Sequence, residues 1–179
     1  MNEPLKTHLV LSLGGPSPRL PGAPTWTLES ERWPGLIEDA AQDVFGTMLG
    51  TLLIRADDKG PAAGEVTAMV GLAGALVGVF SVRCSLETAN LLASKMLEVS
   101  HAEAQSAARD ALGEIANVVA GNLIHKAPGL DEACFLSTPT VISGRDFVLY
   151  STLNSRIFEV PFDFEGSRIW LCFSSIGKG

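Results

Sequence analysis

The longest uncharged stretch of the sequence, Val66 to Val82, restricts the possible folds more than any other feature. It has 17 residues and lies between Glu65 and Arg83, whereas a membrane-spanning helix needs about 20 apolar residues. Three glycines interrupt the stretch, and β-branched and aromatic residues fill its second half, a pattern typical of strands and turns. We therefore predict a buried β-hairpin whose turn is the segment 71–74, in preference to a membrane span.

The composition is that of one acidic domain with its own core. The chain has 179 residues, of which 46% are apolar, and a single domain usually has about 100–200 residues. It carries 13 Lys and Arg against 20 Asp and Glu, a net charge of −7. Such a chain lacks the basic surface that binds phosphate backbones, and anionic membranes would repel it. We expect no nucleic-acid partner and no membrane partner.

The three cysteines, Cys84, Cys134 and Cys172, are widely separated, and each lies in an apolar run. An odd number in such surroundings favours buried free thiols over disulfides or zinc ligands, and so a reducing compartment. The first residues make a poor signal peptide, because the apolar patch 8–13 is short and an acid precedes it. A cytoplasmic protein is expected.

The sequence also lacks the common motifs for metals, nucleotides and serine hydrolysis. It contains no His-Glu-x-x-His, Cys-x-x-Cys or EF-hand pattern, and no P-loop, Gly-x-Gly-x-x-Gly turn or Gly-x-Ser-x-Gly elbow. We therefore expect that this chain itself binds no metal ion and no cofactor.

Proline marks the start of the folded part. Five of the ten prolines fall within the first 24 residues, which predicts an extended arm over residues 1–32 and a folded domain over 33–179. Apolar residues recur at helical spacing from Pro34, so a first helix is predicted that ends at Gly50. A short strand over 51–55 is expected to follow.

Two more helices are predicted after the hairpin. Ser85 has the character of an N-cap for a helix that ends near Val99. Ser100 and Glu103 then have the spacing of a capping box, which opens a third helix running over 103–126.

Strand-like runs separated by turn residues fill the rest of the chain. Their short connections predict antiparallel hairpins. Because helices and strands are segregated along the sequence, the predicted fold class is α+β, an antiparallel sheet with helices packed on one face. The four runs are 132–142, 146–153, 156–164 and 168–174.

The third helix has two distinct faces when each residue is turned by about 100°. Asp110, Glu114, Asn117 and Gly121 fall within about 40° of Asp110 on one face, and we call these four residues the polar stripe. The far side of the helix carries the apolar residues Ala108, Leu112, Ile115, Val119 and Leu123.

Polar residues on the outer face of a helix usually serve only to contact water. Asn117 and Gly121 are poor choices for that purpose, because Asn costs about half a kcal/mol and Gly about 1 kcal/mol of helix stability relative to Ala. Gly121 also leaves room for another molecule to come close to Asn117. The stripe therefore indicates a docking surface.

The run from Asp110 to Asn122 resembles the signature of the CheX and CheC chemotaxis phosphatases. That signature is an Asp or Ser, three residues, a Glu, two residues, an Asn, and a Pro some twenty residues later. Pro139 supplies the last element after 21 intervening residues. The resemblance extends over about residues 34–174, is closest to CheX, and includes the segments 44–50, 93–97 and 136–144.

The resemblance implies hydrolysis of the aspartyl phosphate of a CheY-type response regulator. Asn117 would orient the attacking water, Glu114 would pair with the regulator's lysine, and the regulator would hold the Mg²⁺. Asp110 would be auxiliary, either contacting the partner or supporting the helix, and Pro139 would shape a strand or loop beside the helix. Gly121, from its place in the stripe, is expected to assist docking. The first helix has no amide at the equivalent of Glu-x-x-Asn, so one active face per chain is expected.

The resemblance also implies a homodimer built through sheet edges. Two other functions stay open at this point: an adaptor that docks a response regulator with the same helix face without hydrolysis, and an acidic scaffold domain. The intact Glu114 and Asn117 favour the enzyme, because loss of the amide would be expected in an adaptor.

Overall fold

The computed structural model describes residues 30–57, 64–144 and 155–176. The predicted arm therefore lies outside the described residues except for Ser30–Arg32, which form a 3-10 turn that leads into the first helix. The strand predicted over 146–153 also lies outside them.

The described residues form four α-helices and seven strands. The first two helices start and end close to the predicted positions. Ser85 is an N-cap, since its Oγ accepts a hydrogen bond of 3.0 Å from the Thr88 N–H. The helices are α1 Trp33–Leu49, α2 Leu86–Leu97, α3 His101–Ala104 and α4 Ala108–Lys126, and the strands are β1 Ile54–Arg55, β2 Val66–Gly74, β3 Gly78–Cys84, β4 Cys134–Leu136, β5 Thr140–Ser143, β6 Ser155–Phe164 and β7 Ser167–Ile176.

The capping box is present, but the prediction of one continuous helix after it is wrong. Ser100 Oγ accepts from the Glu103 N–H, and a Glu103 carboxylate oxygen accepts from the Ser100 N–H; these bonds lower the pKa of Glu103. A tighter turn then interrupts the helix, in which the Ala107 N–H donates a hydrogen bond to the Ala104 carbonyl three residues earlier. This turn buries both Ala104 and Ala108 and separates α3 from α4.

The predicted hairpin exists, but its turn is residues 75–77 rather than 71–74. Gly71 lies inside β2. A glycine suits this position because Ser137 approaches closely, and a Cβ there would lie 3.3 Å from Ser137 Oγ. Gly74 has a φ of 113° at the end of the strand, a conformation that suits glycine. These glycines therefore serve a close strand contact and a strand end, and neither is part of the turn.

All strand pairs are antiparallel, in the order β1-β6-β7-β3-β2-β4, with β5 also paired to β2. The run predicted as one strand over 132–142 is two strands, because residues 137–139 interrupt the pairing with β2. Consecutive pairing holds for β6 and β7, whereas β4 and β5 pair with β2 across the sheet. The predicted hairpins that involve the run 146–153 lie outside the described residues.

Helices and strands share one hydrophobic core, which confirms the α+β class. Alternate residues of each central strand face the helices, for example Val66, Ala68 and Val70 on β2. Within the described part of the chain, no helix is long and apolar enough to cross a membrane. The largest fully buried side chains include Phe45, Phe80, Phe162, Phe164, Phe173, Leu92, Leu112 and Ile115.

Candidate functional site

Helix α4 displays the polar stripe on its outer side because its opposite face is buried in the core. It packs against α1, α2 and strand β2. Along the stripe, Asp110 and Glu114 are exposed, and Asn117 and Gly121 are half-buried. The apolar face is buried as predicted, at Ala108, Leu112, Ile115, Val119 and Leu123.

The polar side chains of the stripe have no hydrogen-bond or ion-pair partner among the described residues. Neither Glu114 nor Asn117 makes a side-chain hydrogen bond or ion pair with any residue that the structure describes. The neighbouring basic side chains are occupied elsewhere: Arg109 Nε donates to Ser143 Oγ at 3.1 Å, and Lys126 pairs with Asp43 at 2.6 Å. A carboxylate and an amide are thus presented together, three positions apart, without a partner from the described chain.

A row of residues on α4 lies against the segment that joins β4 to β5. Gly113, Asn117 and Gly121 are four residues apart and so share one line along the helix. A Cβ on Gly113 would lie 3.3 Å from Val141 Cγ2 and 3.5 Å from Pro139 Cβ. Asn117 lies on this row between Gly113 and Gly121 and is therefore close to that segment. Pro139 lies against the helix turn that precedes Glu114.

Two residues of this arrangement were not predicted as site residues. Gly113 lies within the resembling run, and its role is to let Pro139 come close. Ser137 donates its N–H to the Gly71 carbonyl and accepts from the Gly71 N–H through Oγ, both at 2.9 Å. No local pattern could identify Ser137, since its partner is 66 residues away in the sequence.

The described residues contain no group of three or more His, Cys, Asp or Glu that could hold a metal ion. All three cysteines are free. Burial raises the pKa of Cys84 to about 12, and burial is also the main cause that raises the pKa of Cys172 to about 11. Both of these thiols therefore stay protonated at neutral pH and are poor nucleophiles.

Two comparisons of sequence relate this chain to known proteins. Residues 66–163, more than half of the chain, match the family described as chemotaxis phosphatase CheX. The chain is also 31% identical over 88 residues to the CheY-P phosphatase CheX of Thermotoga maritima, a match that covers 49% of this chain and 57% of that protein. The matched part thus spans little more than half the length of this relative.

The fold has close counterparts among solved structures. A CheX from Borrelia burgdorferi, solved in complex with CheY, BeF3 and Mg, is 26% identical with a TM-score of 0.66, covering 81% of this chain and 98% of that one. A chemotaxis protein CheX from Desulfovibrio desulfuricans is 24% identical with a TM-score of 0.65, covering 80% of this chain and 99% of that one. The latter likeness concerns the fold alone.

Proposed function

Since this chain belongs to the CheX family of chemotaxis phosphatases, we propose that it hydrolyses the aspartyl phosphate of a CheY-type response regulator. The observation that carries the proposal is the pairing of Glu114 with Asn117, exposed and half-buried respectively, on the outer face of α4. Both side chains are free to enter another protein's pocket. The CheX from Borrelia burgdorferi, with its CheY partner, supports the choice of substrate.

We assign Asn117 the orientation of the attacking water. Phosphoryl transfer depends on in-line positioning of the nucleophile and on charge compensation, with little covalent chemistry from the protein. A carboxamide can accept a hydrogen bond from the water through its oxygen and donate one through its nitrogen. It does this without bringing a negative charge towards the phosphoryl group.

We assign Glu114 the binding of the regulator's active-site lysine. Its carboxylate lies one turn of α4 before Asn117, so the two groups would enter the same pocket. The Mg²⁺ of the reaction would be held by the regulator, in keeping with the Borrelia burgdorferi complex that contains CheY, BeF3 and Mg.

The remaining residues of the site act around this pair. Asp110 lies one turn before Glu114 on the same face and would contact the rim of the partner. Pro139 would support the helix through its contact beside Gly113. Gly121 would leave space for the partner beside Asn117.

The Gly121→Ala variant is expected to be more stable than the wild type and less active. A Cβ at Gly121 meets only Leu136 Cδ1, at 3.8 Å, and Ala gains up to about 1 kcal/mol over Gly in a helix. The same methyl would stand between Asn117 and the partner and lower the dephosphorylation rate about tenfold. Thermal unfolding and phosphate release check the two effects.

Gly46→Ala is the matched control for that variant. Gly46 lies in α1, and a Cβ there meets nothing within 4 Å. It should gain similar stability with an unchanged rate. Equal rates for Gly121→Ala and Gly46→Ala would contradict a docking role for Gly121.

We further propose that the protein is a homodimer formed through a sheet edge and resides in the cytoplasm. Leu52 and Ile54, at the β1 edge, are 74% and 67% exposed, and an edge strand with large apolar side chains tends to pair. The free cysteines suit a reducing compartment.

Light scattering at micromolar concentration should give about twice the chain mass of 18.9 kDa. Ile54→Lys should reduce the measured mass to one chain, and Thr140→Lys, on the opposite sheet edge, should leave the dimer intact. A wild-type mass of a single chain would contradict the dimer.

The phosphatase is tested by charging candidate CheY-type regulators with acetyl phosphate and measuring phosphate release with catalytic amounts of this protein. Multiple turnovers with at least one regulator are expected. Tight binding of phosphorylated regulator with an unchanged rate of phosphate decay would instead indicate the adaptor.

A further inference from the structure

The segment between β4 and β5 runs alongside the part of α4 that carries Asn117. Gly113 and Gly121 are eight residues apart, a rise of about 12 Å along α4. Their contacts, Pro139 and Leu136, are three residues apart, about 10 Å of extended chain. The two ends of this segment therefore lie near the two glycines, and the backbone at Ser137 and Thr138 spans the stretch of α4 that carries Asn117.

Ser137 ties this segment to the sheet. Its N–H donates to the Gly71 carbonyl, its Oγ accepts from the Gly71 N–H, and the same hydroxyl donates to the Thr138 carbonyl, each at 2.9 Å. Gly71 admits this contact because it has no side chain, and any Cβ there would lie 3.3 Å from the hydroxyl. Ser137 thus fastens the middle of the segment to β2 through both its backbone N–H and its hydroxyl.

We infer that Ser137 is a positioning residue for Asn117, an inference that rests on the proposed phosphatase function. The Asn117 amide has no hydrogen bond to a described residue, so packing alone orients it. The segment that Ser137 holds lies against α4 on both sides of Asn117, at Gly113 and at Gly121. Without the hydroxyl, the Gly71 N–H loses its acceptor and the segment loses one of its attachments, so the amide gains freedom that a positioned group must lack.

Removal of the hydroxyl is expected to act on turnover more than on docking. In Ser137→Ala, kcat should fall about tenfold, while KM for the phosphorylated regulator changes less than about threefold, because small misplacements of a catalytic group are costly. Ser137→Thr retains the hydroxyl and should restore most of the rate. Thr140→Ala is the matched control, since Thr140 is exposed on β5 and its hydroxyl makes no hydrogen bond to a described residue.

A second readout in the free protein separates this inference from the proposed function. The side-chain amide resonances of Asn117 should shift or broaden in Ser137→Ala, and should stay at their wild-type positions in Ser137→Thr and Thr140→Ala. Unchanged Asn117 resonances in Ser137→Ala would overturn the inference, whether or not the wild type is a phosphatase. A rate loss that follows thermal stability and is not rescued by threonine would also overturn it. Absence of turnover by the wild type would overturn the proposed function, and the resonances would still decide the role of Ser137.

Discussion

Replacing Asn117 with alanine is expected to lower the rate of regulator dephosphorylation at least about 100-fold, the loss typical when one positioned polar group is removed from a reaction site. The reason is that Asn117 alone supplies the amide that would orient the water. Its side chain contributes no hydrogen bond to the described fold, so the variant should keep wild-type stability. Affinity for the BeF3-loaded regulator should change less than about threefold, since Glu114 and the rest of the stripe remain.

Asn122→Ala is the control for this variant. Asn122 has the same side chain on the same helix, but it lies near Asp43 of α1, whose carboxyl pKa is lowered mainly by Lys126 and to a smaller extent by Asn122. The activity of Asn122→Ala should match the wild type within about twofold, because consecutive residues of a helix are turned by about 100° and Asn122 therefore lies outside the face that carries the stripe. Turnover by Asn117→Ala at a near wild-type rate would remove Asn117 from the mechanism.

Replacing Glu114 with alanine is expected to weaken both docking and hydrolysis. Truncating one member of a buried interfacial charge pair costs about 2–5 kcal/mol, so the Kd for BeF3-loaded regulator should rise at least about 30-fold. Glu114 is exposed in the free protein, and the free chain loses little when its carboxylate is removed. Titration calorimetry with the BeF3-loaded regulator measures the loss.

Two further variants separate charge from shape at this position. Glu114→Gln keeps the size and should bind nearly as weakly as Glu114→Ala, because the lysine loses its counter-charge. Glu87→Ala removes an exposed carboxylate from α2 and should leave Kd unchanged. Wild-type affinity in both Glu114 variants would show that this carboxylate does not meet the regulator.

The polar stripe could be predicted from sequence because helical periodicity alone determines which residues share a face. The full burial of Leu112 and Ile115 confirms the predicted orientation of α4. The break between α3 and α4 could not be predicted, because no Gly or Pro marks it and the burial of Ala104 and Ala108 depends on the assembled core.

The surroundings of Asn117 depend on contacts between distant parts of the chain. Pairing of β4 and β5 with β2, which comes at least 60 residues earlier in the chain, brings Ser137 to Gly71 and Pro139 to Gly113. A one-residue difference in that register would turn Ser137 to the opposite face of the sheet. Local patterns therefore predicted the helix and its stripe, and they could not predict the segment packed beside it.

Single-turnover decay of a phosphorylated regulator is the most direct test of the central claim, that α4 brings Glu114 and Asn117 into another protein's phosphorylated site. The regulator is freed of its phosphodonor and mixed with a saturating excess of wild type or of Asn117→Ala. Decay should be accelerated strongly by the wild type and should return close to the regulator's own rate with Asn117→Ala. Equal decay with and without the wild type, at concentrations where binding is complete, would contradict the proposed catalysis.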